Sequence, residues 1–392
     1  MYTPLFTSNY PRFEPGPAAL LPTPIRVGAL PEYYGDGVVI AFIDAGFYPH
    51  PDIKSRIILH ADASTSHIIE EDVAFSGNEF SWHGLMTSVI ACGNGSQSNG
   101  IFRGIAPKAS LVLVKVSTPK GQIKEADILR GLRWVIDTHK RLNIRIVNIS
   151  VGGDFRSDDP YHPLHDAIHK LTHAGVVVVA AAGNQNVDHL LPPASASEAI
   201  TVGGIDDHNT MERDHWTLYH HNHGHIYDNT LKPDILATAQ WIPSPILPNS
   251  TVAVEAHWLA QLLHNHNHNK GRKLIERGRL DLGLTDEQLQ KPDDELFQLL
   301  QNRINAHKII DAHHQHVDGT SVAAPIVTSI IAQMLEANPR LTPREIRAIL
   351  TATAKPLTHA PKEKQGAGVI DAAAAVQMSL TTAQPKRSSI TL

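Results

Sequence analysis

The 392-residue chain sets 34 Lys and Arg against 39 Asp and Glu, a formal net charge of −5. No cationic surplus is left to wrap a nucleic acid, and with 42% hydrophobic and 19% charged residues the composition is globular, neither disordered nor fibrous. Cys92 is the single cysteine, which excludes an intramolecular disulfide framework and cysteine-rich metal centres. No run of about 18 apolar residues stands out as a membrane span, so neither a membrane nor a nucleic acid is an expected partner. The opening MYTPLFTSNYPRFEP lacks the basic stretch and apolar run of a secretory signal, so a cytoplasmic location is expected.

Residues 1–35 carry seven prolines, which oppose regular helix and sheet, and predict an extended N-terminal arm. From Val38 the texture changes. Val38–Ile43 is a short apolar, β-branched run closed by Asp44, and similar runs recur at 111–116, 144–149 and 176–181. Helical patterns at 84–92, 124–142 and 163–173 separate them. Apolar strands alternating with helices predict an α/β fold, a doubly wound and mostly parallel sheet with helices on both faces. Polar residues at the C-terminal strand ends of such a sheet line its ligand crevice.

Residues 243–312 read differently, with helical patterns at 252–263 and 292–310 around a His- and Asn-rich stretch. Thr285 with Gln288 has the spacing of a capping box. Leu259, Leu262 and Leu263, and Leu296, Leu299, Leu300 and Ile304, are spaced for apolar helix faces. This segment is expected to be a helical insertion and a surface on which a partner can dock. The discontinuous domain around it spans 36–242 and 313–380, with helices at 317–337 and from Pro343. The polar tail, 381–392, is expected to fray.

Three residues carry candidate chemistry. Asp44 ends an apolar strand, His83 opens an apolar helix in Ser81-Trp82-His83-Gly84, and Ser321 sits in Gly319-Thr320-Ser321-Val322-Ala323-Ala324-Pro325. Singly, each has an ordinary structural explanation as a strand end or a helix cap. Together, in this order, they resemble the subtilisin-like serine proteases. Further segments match in sequence order: His50-Pro51-Asp52, Gly104-Ile105-Ala106-Pro107, Ser150-Val151-Gly152-Gly153, Ala181-Ala182-Gly183-Asn184, Val202-Gly203-Gly204 and Lys232-Pro233-Asp234. The likeness covers roughly 36–240 and 316–376, some two thirds of the chain. It departs from the family at Ala45, where a hydroxyl is usual, at Leu85-Met86, at Ile326, and at Ala237-Thr238-Ala239 in place of Ala-Pro-Gly.

The resemblance implies a serine endopeptidase in which His83 takes the Ser321 proton, Asp44 holds the imidazole, and Asn184 donates to the oxyanion. It also implies a peptide or protein substrate lying along Ser150, Val151 and Gly152 and along Ala181, Ala182 and Gly183. These walls carry no charge, so a large apolar side chain is the expected guest. No cofactor is required by this chemistry. Calcium is a candidate at the loop Gly93–Gly100, which offers Asn side chains and backbone carbonyls; no metal residue is assigned. The histidine clusters at 220–225, 264–268 and 313–316 are expected to be solvated loop residues, and Cys92 a buried small apolar side chain. The arm is too short for the pro-segment of secreted members and resembles the short leaders of intracellular ones. It is a candidate to occlude the cleft, and the insertion is expected to emerge beside it. Two other readings stay open: a narrow processing protease or acyl transferase acting on a partner precursor, and a catalytically silent peptide-binding scaffold.

Overall fold

The computed structural model describes residues 5–13, 19–71 and 79–382; the tail expected to fray lies almost wholly outside them. Strands β1 (Val39–Asp44), β2 (Ile57–Asp62), β3 (Ile69–Glu71), β4 (Ser110–Lys115), β5 (Ile144–Ile149), β6 (Val177–Ala181), β7 (Ile200–Asp206) and β8 (Ile235–Thr238) form one sheet. Its order is β8-β7-β6-β5-β1-β4-β2-β3, and Thr217–Leu218 adds an antiparallel edge to β7. All pairings from β8 to β2 are parallel; only β3 runs against its neighbour.

The apolar runs are buried on both sides by alternation. Ile40 and Phe42 of β1 face one layer, with helices α1 (Ser81–Cys92) and α7 (Thr320–Ala337); Ala41 and Ile43 face the other, with α2 (Glu125–Leu142) and α3 (Pro163–His173). β1 is flanked by β4 on one side and β5 on the other. The chain therefore changes direction across β1, and the crevice of the sheet opens at its C-terminal end.

Helix α7 corrects the expectation that no segment has membrane-span character. Over 18 residues its mean hydropathy is 1.3, long and apolar enough for a bilayer, but 83% of it is buried inside the protein. Thr328, Ser329 and Gln333 break up the run in the sequence, and each is buried in the core. Gln333, for example, donates to Tyr33 O at 2.6 Å.

Between the two parts of the sheet domain lie α4 (Thr251–Leu263), α5 (His268–Arg277) and α6 (Asp293–His307), carried on an antiparallel ribbon of Ile242–Pro245 with His314–Val317. The predicted Thr285–Gln288 capping box is present. Leu259, Leu262 and Leu263 bury against Leu296, Leu300 and Ile304, so the two apolar faces cover each other. The insertion does not emerge beside the crevice. Its ribbon runs along α1 to that helix's C-terminal end, where His314 packs on Phe102 at 4.9 Å and Gly104 N–H donates to Gly93 O.

The arm departs from an extended reading. Thr23–Arg26 forms one helical turn, and Arg26 is fully buried, with hydrogen bonds of 2.5 and 3.0 Å to Asp207 and further bonds to the carbonyls of Gln240 and Trp241. Phe6 and Tyr10 complete the core of the insertion, and the Tyr10 hydroxyl donates to Ile309 O at 2.8 Å. Truncating such a fully buried aromatic costs about 3–5 kcal/mol. Phe6→Ala should therefore lower the denaturant midpoint and expose the insertion to limited proteolysis first; an unchanged midpoint would separate the arm from that core.

Candidate active site

The site begins with a charge placed where water cannot reach it. Asp44 ends β1 with its side chain fully buried, and burying a carboxylate costs several kcal/mol unless donors surround it. Ala45 N–H donates to Oδ1 at 2.6 Å, His83 Nδ1 meets Oδ1 at 2.5 Å, and Thr87 Oγ1 donates to Oδ2 at 2.9 Å. His83 and Thr87 are one turn apart on α1, so one helix face supplies both. Burial of the imidazole disfavours its charge, yet the Asp44 carboxylate, by charge and by hydrogen bond, outweighs this and raises the His83 pKa above 6.5. With Nδ1 committed to Asp44, Nε2 is left for a further partner.

Ser321 stands in the first turn of α7, which packs against α1. The preceding Gly319 has φ +136°, and a side chain there would press on Asn184 Nδ2 at 3.3 Å. Asn184 Oδ1 accepts from Thr320 N–H at 2.9 Å and from the Thr320 hydroxyl at 3.0 Å. Its Nδ2 is thereby left as a free donor beside the N-terminus of α7, where backbone N–H groups and the helix dipole favour negative charge. Pro325 has no N–H for Ser321 O; the Ser150 hydroxyl donates to that carbonyl instead, at 3.4 Å. Asn148, buried at the end of β5, donates to Ser150 Oγ at 3.0 Å and accepts from Thr328 at 2.9 Å, fixing the Ser150 segment against α7.

A cavity of about 270 Å³ adjoins Ser321. All six residues expected to form its walls line it: Ser150, Val151, Gly152, Ala181, Ala182 and Gly183. Leu191, Pro193 and Ala194, together with Asn222 and Gln185, were not singled out in the sequence. No charged residue lines the cavity, nor does any described residue of the arm or insertion. Asn222 sits in a His-rich tract with no local signal, whereas Thr87, at i+4 from His83, could have been found from helical spacing.

At the candidate calcium loop Gly93–Gly100, the oxygens of Asp52 and Asn94 are already engaged. Its neighbouring carboxylate, Asp52, accepts from Ser96 Oγ at 2.6 Å and from Gly95 N–H at 3.2 Å, while Asn94 Oδ1 accepts from Ser96 N–H at 3.0 Å. These oxygens face protein donors and do not converge on a cation. Among the described residues no group of three or more His, Cys, Asp or Glu could hold a metal. The histidine clusters are only partly solvated. His221, His314 and His316 are buried, and each bonds within the protein, His316 to Pro11 O at 2.8 Å and His221 to Lys364 O at 2.6 Å. Burial pushes the His316 pKa down to about 4. Cys92 is fully buried, and its thiol is pushed up to about 12. One Ser–His hydrogen bond, His165 Nε2 to Ser195 Oγ at 2.9 Å, is buried between residues that do not line the cavity, with a backbone carbonyl in place of a carboxylate on Nδ1.

Known proteins resemble this chain in sequence and in fold. Residues 35–368 match the model of the Subtilase family. Serine protease AprX of Bacillus subtilis is 30% identical over 346 residues, covering 86% of this chain and 66% of that protein. Subtilisin Savinase of Lederbergia lenta is 32% identical over 175 residues, 45% of this chain and 58% of its own. The chain thus spans less than two thirds of the length of these relatives. Among solved structures, fervidolysin of Fervidobacterium pennivorans superposes with a TM-score of 0.61 at 18% identity, covering 92% of this chain and 45% of that one. The protease domain of PatA gives 0.59 at 21% identity, with 89% and 98% covered. These two likenesses concern the fold.

The Asp44–His83 contact has a measurable sign. His83 should titrate above pH 6.5 by NMR, and Asp44→Asn should bring its midpoint down. Because the folded value is raised, protonated His83 contributes stability that is complete below the ordinary value of 6.5 and is lost as pH rises through the folded value. The stability advantage of the wild type over Asp44→Asn should accordingly shrink across that window. An advantage that grows there would contradict the pairing.

Proposed function

The chain belongs to the subtilase family, and from that premise we propose that it is a serine endopeptidase working through Asp44, His83 and Ser321, with Asn184 in the oxyanion hole. The observation that carries this reading is the buried 2.5 Å contact of His83 Nδ1 with Asp44, which directs the other ring nitrogen outward. The substrate peptide pairs as an added strand with the backbone of Ser150–Gly152. Its side chain preceding the cleaved bond enters the uncharged cavity closed by Leu191, Pro193 and Ala194.

His83 Nε2 takes the proton as Ser321 Oγ attacks the scissile carbonyl carbon. The carbonyl oxygen becomes negative between Asn184 Nδ2 and the first N–H groups of α7. His83 then gives its proton to the leaving amine, the C–N bond breaks, and an acyl ester on Ser321 remains. Water repeats the cycle: His83 removes its proton, the tetrahedral adduct collapses, and Ser321 leaves with the proton returned. Asp44 keeps its charge throughout, holding the ring in the right tautomer and stabilising the imidazolium.

Ser321→Ala should keep the fold and abolish peptide hydrolysis and labelling by a fluorophosphonate probe. Asn184→Ala should lower kcat by about 10²–10³-fold with little change in KM, the loss measured for such a donor in a subtilisin. Folded wild-type protein that neither labels nor cleaves a diverse peptide library would reject the enzyme in favour of a silent peptide-binding scaffold. The same library, read by mass spectrometry, should show large apolar residues before the cleaved bond. Enrichment of charged residues there would contradict the cavity assignment.

A further inference from the structure

The insertion carries a charge arrangement that the peptidase chemistry does not use. Of its eight Lys and Arg residues, five are ion-paired: Arg272 with Glu276 and Asp293, Arg279 with Asp286, Lys291 with Glu295, Arg303 with Glu255, and Lys308 with Asp318. The three without an ion-pair partner among the described residues, Lys270, Lys273 and Arg277, all line one groove of about 750 Å³. They lie at i, i+3 and i+7 of α5, hence on one face over about 10 Å of helix. His257 and Gln261 of α4 and His264 just past its end, at i, i+4 and i+7, form the facing wall, above Ala260, Leu274 and Ala312. Asp311 closes one end but does not neutralise the cations. Its carboxylate is already held by the His314 ring at 2.9 and 3.0 Å and by the backbone N–H groups of His313 and His314.

Three cations in a row without an ion-pair partner among the described residues, on a chain of net charge −5, are available to an anionic partner. We propose that this groove is a recruitment site for an acidic segment of the polypeptide substrate, docking carboxylates on Lys270, Lys273 and Arg277. This rests on the peptidase reading for what is then cleaved. Side chains on one side of an extended chain recur about every 6.6 Å, so Asp or Glu at alternate positions can meet all three cations, while intervening methylenes lie on Ala260 and Leu274. Asp311, at the groove's edge, is ten residues before Ser321, a separation of at most about 35 Å along the chain. One polypeptide can span both.

The test compares two polypeptides with the same cleavable sequence, one extended by a (Glu-Ser) repeat and one by a (Gln-Ser) repeat, with a short chromogenic peptide as reference. The acidic substrate should show a KM lower by about tenfold, the combined effect of three solvent-facing ion pairs. The Lys270→Gln/Lys273→Gln/Arg277→Gln variant should erase that difference, as should about 0.5 M salt, by screening, with turnover of the short peptide unchanged. Equal KM values for the two polypeptides in wild type would overturn the proposal. So would a preference that survives in the folded variant, or inhibition of acidic-substrate cleavage by low millimolar inorganic phosphate, which would mark a small-anion site. Binding of the fluorescent acidic peptide to Ser321→Ala protein separates the two readings. Binding lost in the triple-Gln background supports the groove even if wild type cleaves nothing, and no binding in a protease that cleaves the short peptide refutes the groove alone.

Discussion

One buried carboxylate organises the face that carries the candidate site. Asp44 sits where β1 ends, without contact with water, and it is tolerable there only if each oxygen finds a donor. Ala45 supplies one from the backbone; the other two come from a single face of α1, through His83 and Thr87. Satisfying Asp44 therefore fixes both the position and the rotation of α1 over the end of β1. Since the sheet is parallel around β1, neighbouring strands finish on the same rim. α7, packed against α1, brings Ser321 to that rim, and Asn184 follows β6 to it. Thr87, one helical turn beyond His83, gives Asp44 a hydroxyl donor that the Ala45 side chain lacks.

Legibility followed the reach of each interaction. Asp44, His83, Asn184, Ser321 and the six cavity-wall residues stand in short motifs whose local geometry repeats wherever the motif occurs, so they could be named before the fold was known. The apolar runs that became β1, β4, β5 and β6 announce themselves because both their faces are covered. Strand β2 did not: its ends are exposed or half-buried, which dilutes the apolar run. Helix α5 stayed hidden in a polar stretch because only Gly271 and Ile275 are buried, too thin a stripe for periodicity to register. Asn222 reaches the cavity only through tertiary folding, and nothing near it in the chain says so.

The arm and the insertion show the same limit at its longest range. Tyr10 bonds Ile309 across 299 positions and Arg26 bonds Asp207 across 181. A proline-rich arm looks extended in sequence because its order comes entirely from those partners. The Arg26–Asp207 pair is fully buried, a costly arrangement unless every polar atom is served. Two backbone carbonyls complete the guanidinium, and Thr238 Oγ1 donates to Asp207 at 3.2 Å. Thr238 is the residue that stands where the family has proline, so this departure coincides with a support for the strap.

The insertion is distant from the crevice yet joined to its serine by a short connection. Closing a long loop costs little entropy, but 70 residues placed there must bury their own apolar faces, and Phe6 and Tyr10 supply part of what α4 and α6 lack. The ribbon then returns along α1 and ends at Asp318. There Lys308, at the end of α6, pairs with the carboxylate, and Trp241 N–H donates to it at 2.8 Å. The next residue, Gly319, donates its N–H to Ala239 O at 2.8 Å. Asp318 is three positions before Ser321, so the last contact of the insertion and the first turn of α7 share one short, hydrogen-bonded segment. An added unit can thus lie on the flank, away from the crevice, while its C-terminal boundary is held to the segment that places Ser321.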